Sequence, residues 1–247
     1  LIFRRPPGSC STAEPMRIRF ALFDFDGVIA DTEASNNRFT KRALAKYGVY
    51  LSEEEERSLY GVNDADVIRQ FLERAPRPVT LEDYLRERRS MGNTYQNGNL
   101  EPMPGVAPLL EELRSRGVKT ALVSSTSGYL IEAALERLGM RELFDAVVCG
   151  DMVSKKKPDP EPYQTAMKLL GAVPEECVIF EDSPVGIRSG KAAGVRVIGC
   201  RASAIRQDTS QADYQLDAFA DFGGLPLELP SRGESGKTAR TQEVDHR

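Results

Sequence analysis

The sequence predicts a doubly wound α/β fold, a parallel sheet wrapped by helices, with one α-helical insertion. Three observations carry this. Short apolar runs recur along the chain, each closed by small, polar or acidic residues. Amphipathic helical patterns separate most of them. One stretch, 33–101, holds helical patterns alone.

The first run is Phe20-Ala21-Leu22-Phe23, ending in Asp24. Thr120-Ala121-Leu122-Val123 leads into Ser124-Ser125. Ala146-Val147-Val148-Cys149, Cys177-Val178-Ile179-Phe180 and Val195-Arg196-Val197-Ile198 follow. Runs this short and apolar suit strands covered on both faces. Pro104 opens a helical pattern that Gly117 closes, with Val106, Leu109, Leu110 and Leu113 on one face. Residues 130–138, 163–170 and 185–193 also read as helices, stopping at Gly139, Gly171 and Gly194. Such alternation winds a parallel sheet with right-handed crossovers. Within 33–101 the helical patterns are 38–47, 53–60, 64–74 and 81–91, split by Gly, Asn and Pro. Leu72 and Leu85 read as interior positions of this insert.

The expected organisation is a core of 17–32 and 102–222, a helical domain of 33–101, and ends without fixed structure at 1–16 and 223–247. Residues 1–15 lack periodicity, and Met16 is the expected natural start. The stretch from Gly223 is rich in Gly, Pro, Ser and charge and reads as a frayed tail. No internal repeat is visible.

Composition narrows the chemistry. The 247 residues carry a formal net charge of −4, with 40% hydrophobic and 28% charged residues. That balance suits a globular domain and argues against nucleic acid as a partner. No apolar run approaches the ~18–20 residues that span a bilayer. Cys10, Cys149, Cys177 and Cys200 form no CxxC pair, so free thiols in a reducing cytoplasm are expected. Arg4 and Arg5 leave an organellar address, such as a plastid, open. The single histidine, His246, lies next to the last residue. A Ser-His-Asp triad, an HExxH zinc site and a histidine base are therefore not expected.

In an open parallel sheet, sites form beyond the carboxyl ends of the strands. The first run ends in Asp24-Phe25-Asp26-Gly27, the second in Ser124-Ser125-Thr126-Ser127. Lys155-Lys156-Lys157-Pro158 follows the third, and Glu181-Asp182-Ser183-Pro184 the fourth. Each alone has a plain explanation: turn acids, a helix start with Ser127 as cap, a solvated lysine loop, a capping segment. Together, on one rim, they fit a phosphate monoester and a divalent cation. Asp24 and Asp26 project to the same side of an extended chain. One can attack phosphorus as a carboxylate while the other carries the proton. Glu181 and Asp182 add charge that a cation such as Mg²⁺ offsets, bridging Asp24, Asp182 and the phosphate. Ser124 can donate to a phosphoryl oxygen, and a lysine adds positive charge there.

The segments FALFDFDGVIADTE, ALVSSTS, KKKPDPEPY and VIFEDSPVGIRSGKAAG resemble, in order and spacing, the haloacid dehalogenase superfamily. Within it the chain is most similar to the β-phosphoglucomutase-like phosphatases. The resemblance spans about 17–199 and implies a Rossmann-like core with a helical cap at 33–101. It implies Asp24 as nucleophile and Mg²⁺ ligand. It implies Asp26 as general acid and base, with its backbone carbonyl on the metal. Thr32 holds Asp26 or the substrate, Ser124 and the Ser125 N–H bind the phosphoryl group, and Lys157 is the phosphate lysine. Asp182 ligates the metal, and Glu181 does so directly or through water. Lys155 and Lys156 carry no role.

The expected activity is that of a Mg²⁺-dependent phosphatase on a small sugar or polyol phosphate, working as a monomer. Two alternatives stand beside it, a sugar-phosphate mutase and a phosphometabolite-binding protein without turnover. Dehalogenases proper lack an acid at the Asp26 position, and P-type pumps need membrane helices. A phosphonate hydrolase needs a cap amine, for which Lys41 and Lys46 are placed. Mutases carry an arginine where this chain has Asp64, and an acid there repels a second phosphate. Arg69, Arg74 or Arg77 are the alternative grips. Tyr60, Asn63 and Asp64 are the candidate cap contacts to substrate.

Overall fold

A computed structural model describes residues 16–59, 65–203 and 205–231. The chain enters through β1 (Met16–Arg17) and β2 (Phe20–Phe23). Four helices follow: α1 (Glu33–Lys46), α2 (Glu53–Ser58), α3 (Ala65–Leu72) and α4 (Leu81–Ser90). The alternation then runs through α5 (Val106–Ser115), β3 (Lys119–Val123), α6 (Gly128–Leu138), β4 (Ala146–Val148) and α7 (Glu161–Leu170). It continues through β5 (Cys177–Glu181), α8 (Pro184–Ala192), β6 (Arg196–Cys200) and β7 (Tyr214–Leu216), and β8 (Leu227–Glu228) ends the described elements.

Six strands form a parallel sheet in the order β4-β3-β2-β5-β6-β7. The doubly wound expectation holds. β2 is central and entirely buried, and its side chains alternate between the two faces. Ala21 and Phe23 join a core with α5 and α6, while Phe20 and Leu22 join one with α7 and α8. Phe23 stacks on Phe180 of β5 with ring centroids 4.3 Å apart. Such a pair adds about 0.5–1.5 kcal/mol to the burial itself. The helices of 33–101 have a separate apolar core, including Ala43, Leu44, Val49, Leu59, Phe71, Leu72 and Tyr84. That gives the inserted helices their own reason to hold together.

Four expectations need correction. α1 begins at Glu33, five residues ahead of the expected start. Thr32 stands at its cap, yet its hydroxyl caps nothing and bonds Asp26 instead. The tail does not fray from Gly223. Leu225, Leu227 and Leu229 pack on the core, and β8 pairs in parallel with Met16 and Arg17. Its period-two apolar alternation is a strand signal hidden among Gly, Pro and Ser. Met16 is accordingly part of a strand. β7 was also not expected, since Tyr214-Gln215-Leu216 is too short and polar to read as a run. Finally, Leu85 is not interior. It is 39% exposed, because α4 turns Tyr84 inward in its place. Leu72 is buried as expected.

Candidate active site

The register sets the site. Phe23 pairs with Leu122 on one side and Phe180 on the other, so the next residues of β2, β3 and β5 emerge at one level. They are Asp24, Val123 followed by Ser124, and Glu181. The Asp24 N–H donates to the Phe180 carbonyl at 3.0 Å, and the Ser124 N–H to that of Val148 at 2.9 Å. Asp24, Ser124, Glu181 and Asp182 are all buried.

Lys157 reaches into this cluster. Its Nζ donates to Asp24 Oδ1 at 2.7 Å, Glu181 Oε1 at 2.7 Å and the Val123 carbonyl at 2.9 Å. All three ammonium donors are thereby used. Burial works against its charge, but the two carboxylates hold its pKa above the usual lysine value. Lys155 points away and pairs at 3.6 Å with Asp159, its side chain 71% exposed.

Glu181 is a hub. Oε1 also accepts from the Tyr163 hydroxyl at 2.8 Å. Oε2 accepts from the N–H groups of Asp182 and Ser183 and from the Ser183 hydroxyl, at 3.1, 3.2 and 3.0 Å. The Ser183 hydroxyl in turn accepts from the Gly186 N–H at 3.0 Å, capping α8. A Cβ on Gly186 would lie 1.7 Å from Glu181 Oε1, so only glycine fits there. Asp182 is less engaged, with Gln207 Nε2 at 3.3 Å from its Oδ2. Gly27, at φ 75°, brings the loop after β2 against it; a Cβ there would sit 2.0 Å from Asp182 Oδ2.

Asp24, Glu181 and Asp182 each offer a carboxylate oxygen, all within 4.8 Å of one another. Burial raises Asp24 to about 7 against the pull of Lys157. Burial, then the charges of Asp24, Glu181 and Asp26, raise Asp182 to about 9. Acids so crowded call for protons or a cation between them. An oxygen-only donor set fits a hard divalent ion such as Mg²⁺.

Asp26 sits beside them, its pKa raised by burial against the hydrogen bonds it accepts. Its Oδ1 takes hydrogen bonds from Thr32 and, at 2.7 Å, from the Tyr95 hydroxyl. Ser124 Oγ accepts from the Thr126 N–H at 3.1 Å, which leaves its own proton to donate. Ser125 is exposed and lines a cleft of about 710 Å³. Asn36, Asn37, Tyr84, Arg88 and Arg89 line its other side. The structure thus brings Asp24, Asp26, Thr32, Ser124, Lys157, Glu181 and Asp182 to one rim, with Ser125 at the cleft beside it.

Tyr60, Asn63 and Asp64 lie outside the described residues. Arg69 and Arg77 line a different hollow, with Arg69 bonded to Asp66, and Arg74 is held by Glu55. None of the three faces the cleft; Arg88 and Arg89 do. Lys41 and Lys46 pair with Glu56 and Glu87 and do not line it either. Sequence reasoning missed Tyr95, Tyr163, Asn37, Gln207 and the arginine pair. No spacing marks them, because each reaches the site through the packing of a distant element.

The sequence profile of the haloacid dehalogenase-like hydrolases matches residues 21–200. Protein CbbY of Cereibacter sphaeroides is 34% identical over 219 residues, 84% of this chain and 95% of the relative. The phosphorylated carbohydrates phosphatase of Thermotoga maritima is 33% identical over 177 residues, 72% of this chain and 82% of the relative. The crystal structure of CbbY from Rhodobacter sphaeroides in complex with phosphate superposes with a TM-score of 0.65 at 32% identity. It covers 83% of this chain and 96% of its own.

Proposed function

The chain belongs to the haloacid dehalogenase-like hydrolases, and from that premise we propose a Mg²⁺-dependent phosphatase that takes a small sugar or polyol phosphate through an aspartyl-phosphate on Asp24. It is a phosphoric monoester hydrolase of the β-phosphoglucomutase-like group. The observation that carries the finer reading is the buried contact of Lys157 with Asp24 and Glu181, with Asp182 beside them, at the carboxyl ends of β2 and β5.

Asp24 attacks phosphorus, and Asp26 gives its proton to the departing ester oxygen, which leaves as an alcohol. Asp26 then takes a proton from the water that hydrolyses the acyl phosphate. Ser124 and the Ser125 N–H hold the phosphoryl oxygens as charge shifts onto them, and Lys157, which must exchange one of its present acceptors to bond them, adds positive charge beside them. Asp24, Asp182 and the Asp26 carbonyl would hold Mg²⁺, with Glu181 direct or through water. Bound there, the ion neutralises phosphate charge. Residues 33–101 act as the cap that contacts the leaving group. The phosphatase name of the Thermotoga relative goes against the mutase alternative. No helix among the described residues is long and apolar enough to cross a membrane. The free buried thiols of Cys149, Cys177 and Cys200 support a reducing compartment, and we assign the cytoplasm. A monomer suffices, since every group named comes from one chain.

The experiment is phosphate release from a panel of sugar and polyol phosphates, with Mg²⁺ or with EDTA. Release that needs Mg²⁺ is expected, and metal-independent release would contradict the reading.

The raised carboxyls set a pH signature. In the metal-free fold, Asp24 at about 7 and Asp182 at about 9 keep protons that the unfolded chain, near 3.8, releases. Stability of the metal-free protein therefore falls as pH rises through that window. Mg²⁺ needs the same carboxylates charged, so it binds more tightly as pH rises. The increase in melting temperature on adding Mg²⁺ is expected to grow steadily from pH 6 to 9. A shift that shrinks over that range would contradict the metal assignment.

The cleft makes one further prediction. Asn37 is only 8% exposed, lines the cleft, and its Nδ2 has no hydrogen-bond partner among the described residues. A buried donor left unmet costs about 1–3 kcal/mol, so a leaving-group oxygen is its natural acceptor. Asn37→Leu is expected to raise KM roughly tenfold with kcat within about twofold, as loss of uniform binding does. Steady-state kinetics on the preferred panel substrate checks it.

A further inference from the structure

Tyr95 comes from the segment joining α4 to α5, outside every motif at the strand ends. Its ring is 9% exposed and lies 5.9 Å from that of Phe25. Its hydroxyl is 2.7 Å from Asp26 Oδ1 and 3.2 Å from Thr126 Oγ1. Asp26 Oδ1 accepts from Thr32 as well. Both hydroxyls must donate to that oxygen, so Thr126 donates to Tyr95. Among the described residues no side-chain donor bonds the other oxygen, Oδ2.

The segment that carries Tyr95 is held independently of this hydroxyl. The Arg137 guanidinium of α6 donates to the carbonyls of Thr94, Tyr95 and Gly98, at 2.9, 2.8 and 2.7 Å. Asn93 and Asn97 tie the loop internally. The Asn97 side chain accepts from the Asn93 N–H at 2.8 Å, and the Asn93 side chain from the Gln96 N–H at 2.9 Å. Removing one hydroxyl leaves all of these in place.

We propose that Tyr95 is the positioning residue of the proton donor. Anchored by Arg137, it fixes Asp26 Oδ1 from the return segment, while Thr32 fixes the same oxygen from the outgoing one. Oδ2 is thereby kept as the oxygen that carries the proton. As the Asp24–phosphorus bond forms and the ester P–O bond breaks, the proton on Oδ2 passes to the leaving oxygen. Asp26 is left as a carboxylate, and its charge is met by the two hydroxyls on Oδ1. Exposed to rotation instead, the carboxyl would present its proton only part of the time, and well-placed groups lose rate steeply when misaligned. This rests on the reading of Asp26 as general acid given above.

The test compares two leaving groups. A sugar alkoxide needs the proton to depart, whereas p-nitrophenolate leaves without one. The quantity is kcat/KM, which covers steps up to departure of the leaving group. Tyr95→Phe is expected to lower it roughly 10–100-fold for the sugar phosphate and by less than about twofold for p-nitrophenyl phosphate. Asp26→Asn, measured alongside, should show the same selectivity with a larger loss. Equal losses on both substrates by Tyr95→Phe, or none on either, would overturn the role of Tyr95. If Asp26→Asn itself showed no preference between the two, the general-acid reading would fail instead, and the Tyr95 proposal with it. Melting temperatures of the variants separate a loosened fold from a misaligned acid, since a loosened fold lowers both rates together.

Discussion

Asp24→Asn is expected to lower phosphate release on the order of 10⁴-fold or more while leaving the fold intact. The substitution is nearly isosteric, so no cavity is left where the buried Asp24 side chain stood. The amide cannot attack phosphorus as a carboxylate does, and it ligates a cation weakly. Lys157 keeps Glu181 and the Val123 carbonyl as acceptors, so no buried cation is stranded. The burial that raises Asp24 to about 7 also means that its charge is costly to hold in the metal-free protein. Melting without metal is therefore expected to be unchanged or raised, and the stabilisation by Mg²⁺ reduced. Thermal melting with and without Mg²⁺, beside the rate, checks both halves. An inactive variant that no longer folds would contradict this account of Asp24.

Lys157→Met is expected to damage activity and stability together. The side chain fills a similar volume but removes the positive charge. Glu181 is wholly buried and relies on Lys157 and Tyr163 at Oε1. Taking away one partner of a buried ion pair costs about 3–5 kcal/mol, because the remaining charge is uncompensated. Here two carboxylates lose their partner at once, with Asp182 close by. Loss of the positive charge beside the phosphoryl oxygens adds a rate penalty of roughly 10²–10³-fold. Lys155→Met is the comparison. Its exposed pair with Asp159 is worth no more than about 1 kcal/mol, and neither melting nor rate should change appreciably. Equal effects of the two substitutions would put the wrong lysine in the site.

The core was legible because its grammar is local. Each buried strand is a run of apolar residues, and each acid or hydroxyl of the rim follows directly on a run. Register then does the assembly: Phe23 opposite Leu122 and Phe180 brings Asp24, Ser124 and Glu181 together without any long-range guess. What was not legible reaches the rim across the fold. Tyr95 arrives from the far end of the helical insert, and Tyr163 from the body of α7. Asn37 lies just ahead of the helical pattern at 38–47, and only the longer α1 and its packing put its amide on the cleft with no partner among the described residues. Leu85 departs from its expected interior place for a related reason. On a short helix with Tyr84 beside it, one-face periodicity does not say which apolar residue the core takes. The C-terminal strand was masked by composition, since Leu225, Leu227 and Leu229 sit among residues that ordinarily signal a tail.

The covalent step on Asp24 is the claim on which the rest depends. The direct measurement is mass analysis of protein quenched in acid during turnover of the best panel substrate with Mg²⁺. A mass gain of one phosphoryl group is expected on the peptide that carries Asp24. It should vanish when hydroxylamine is added and be absent from Asp24→Asn. Rapid phosphate release with no phosphoryl group on that peptide at any quench time, or with the group on another residue, would contradict the account.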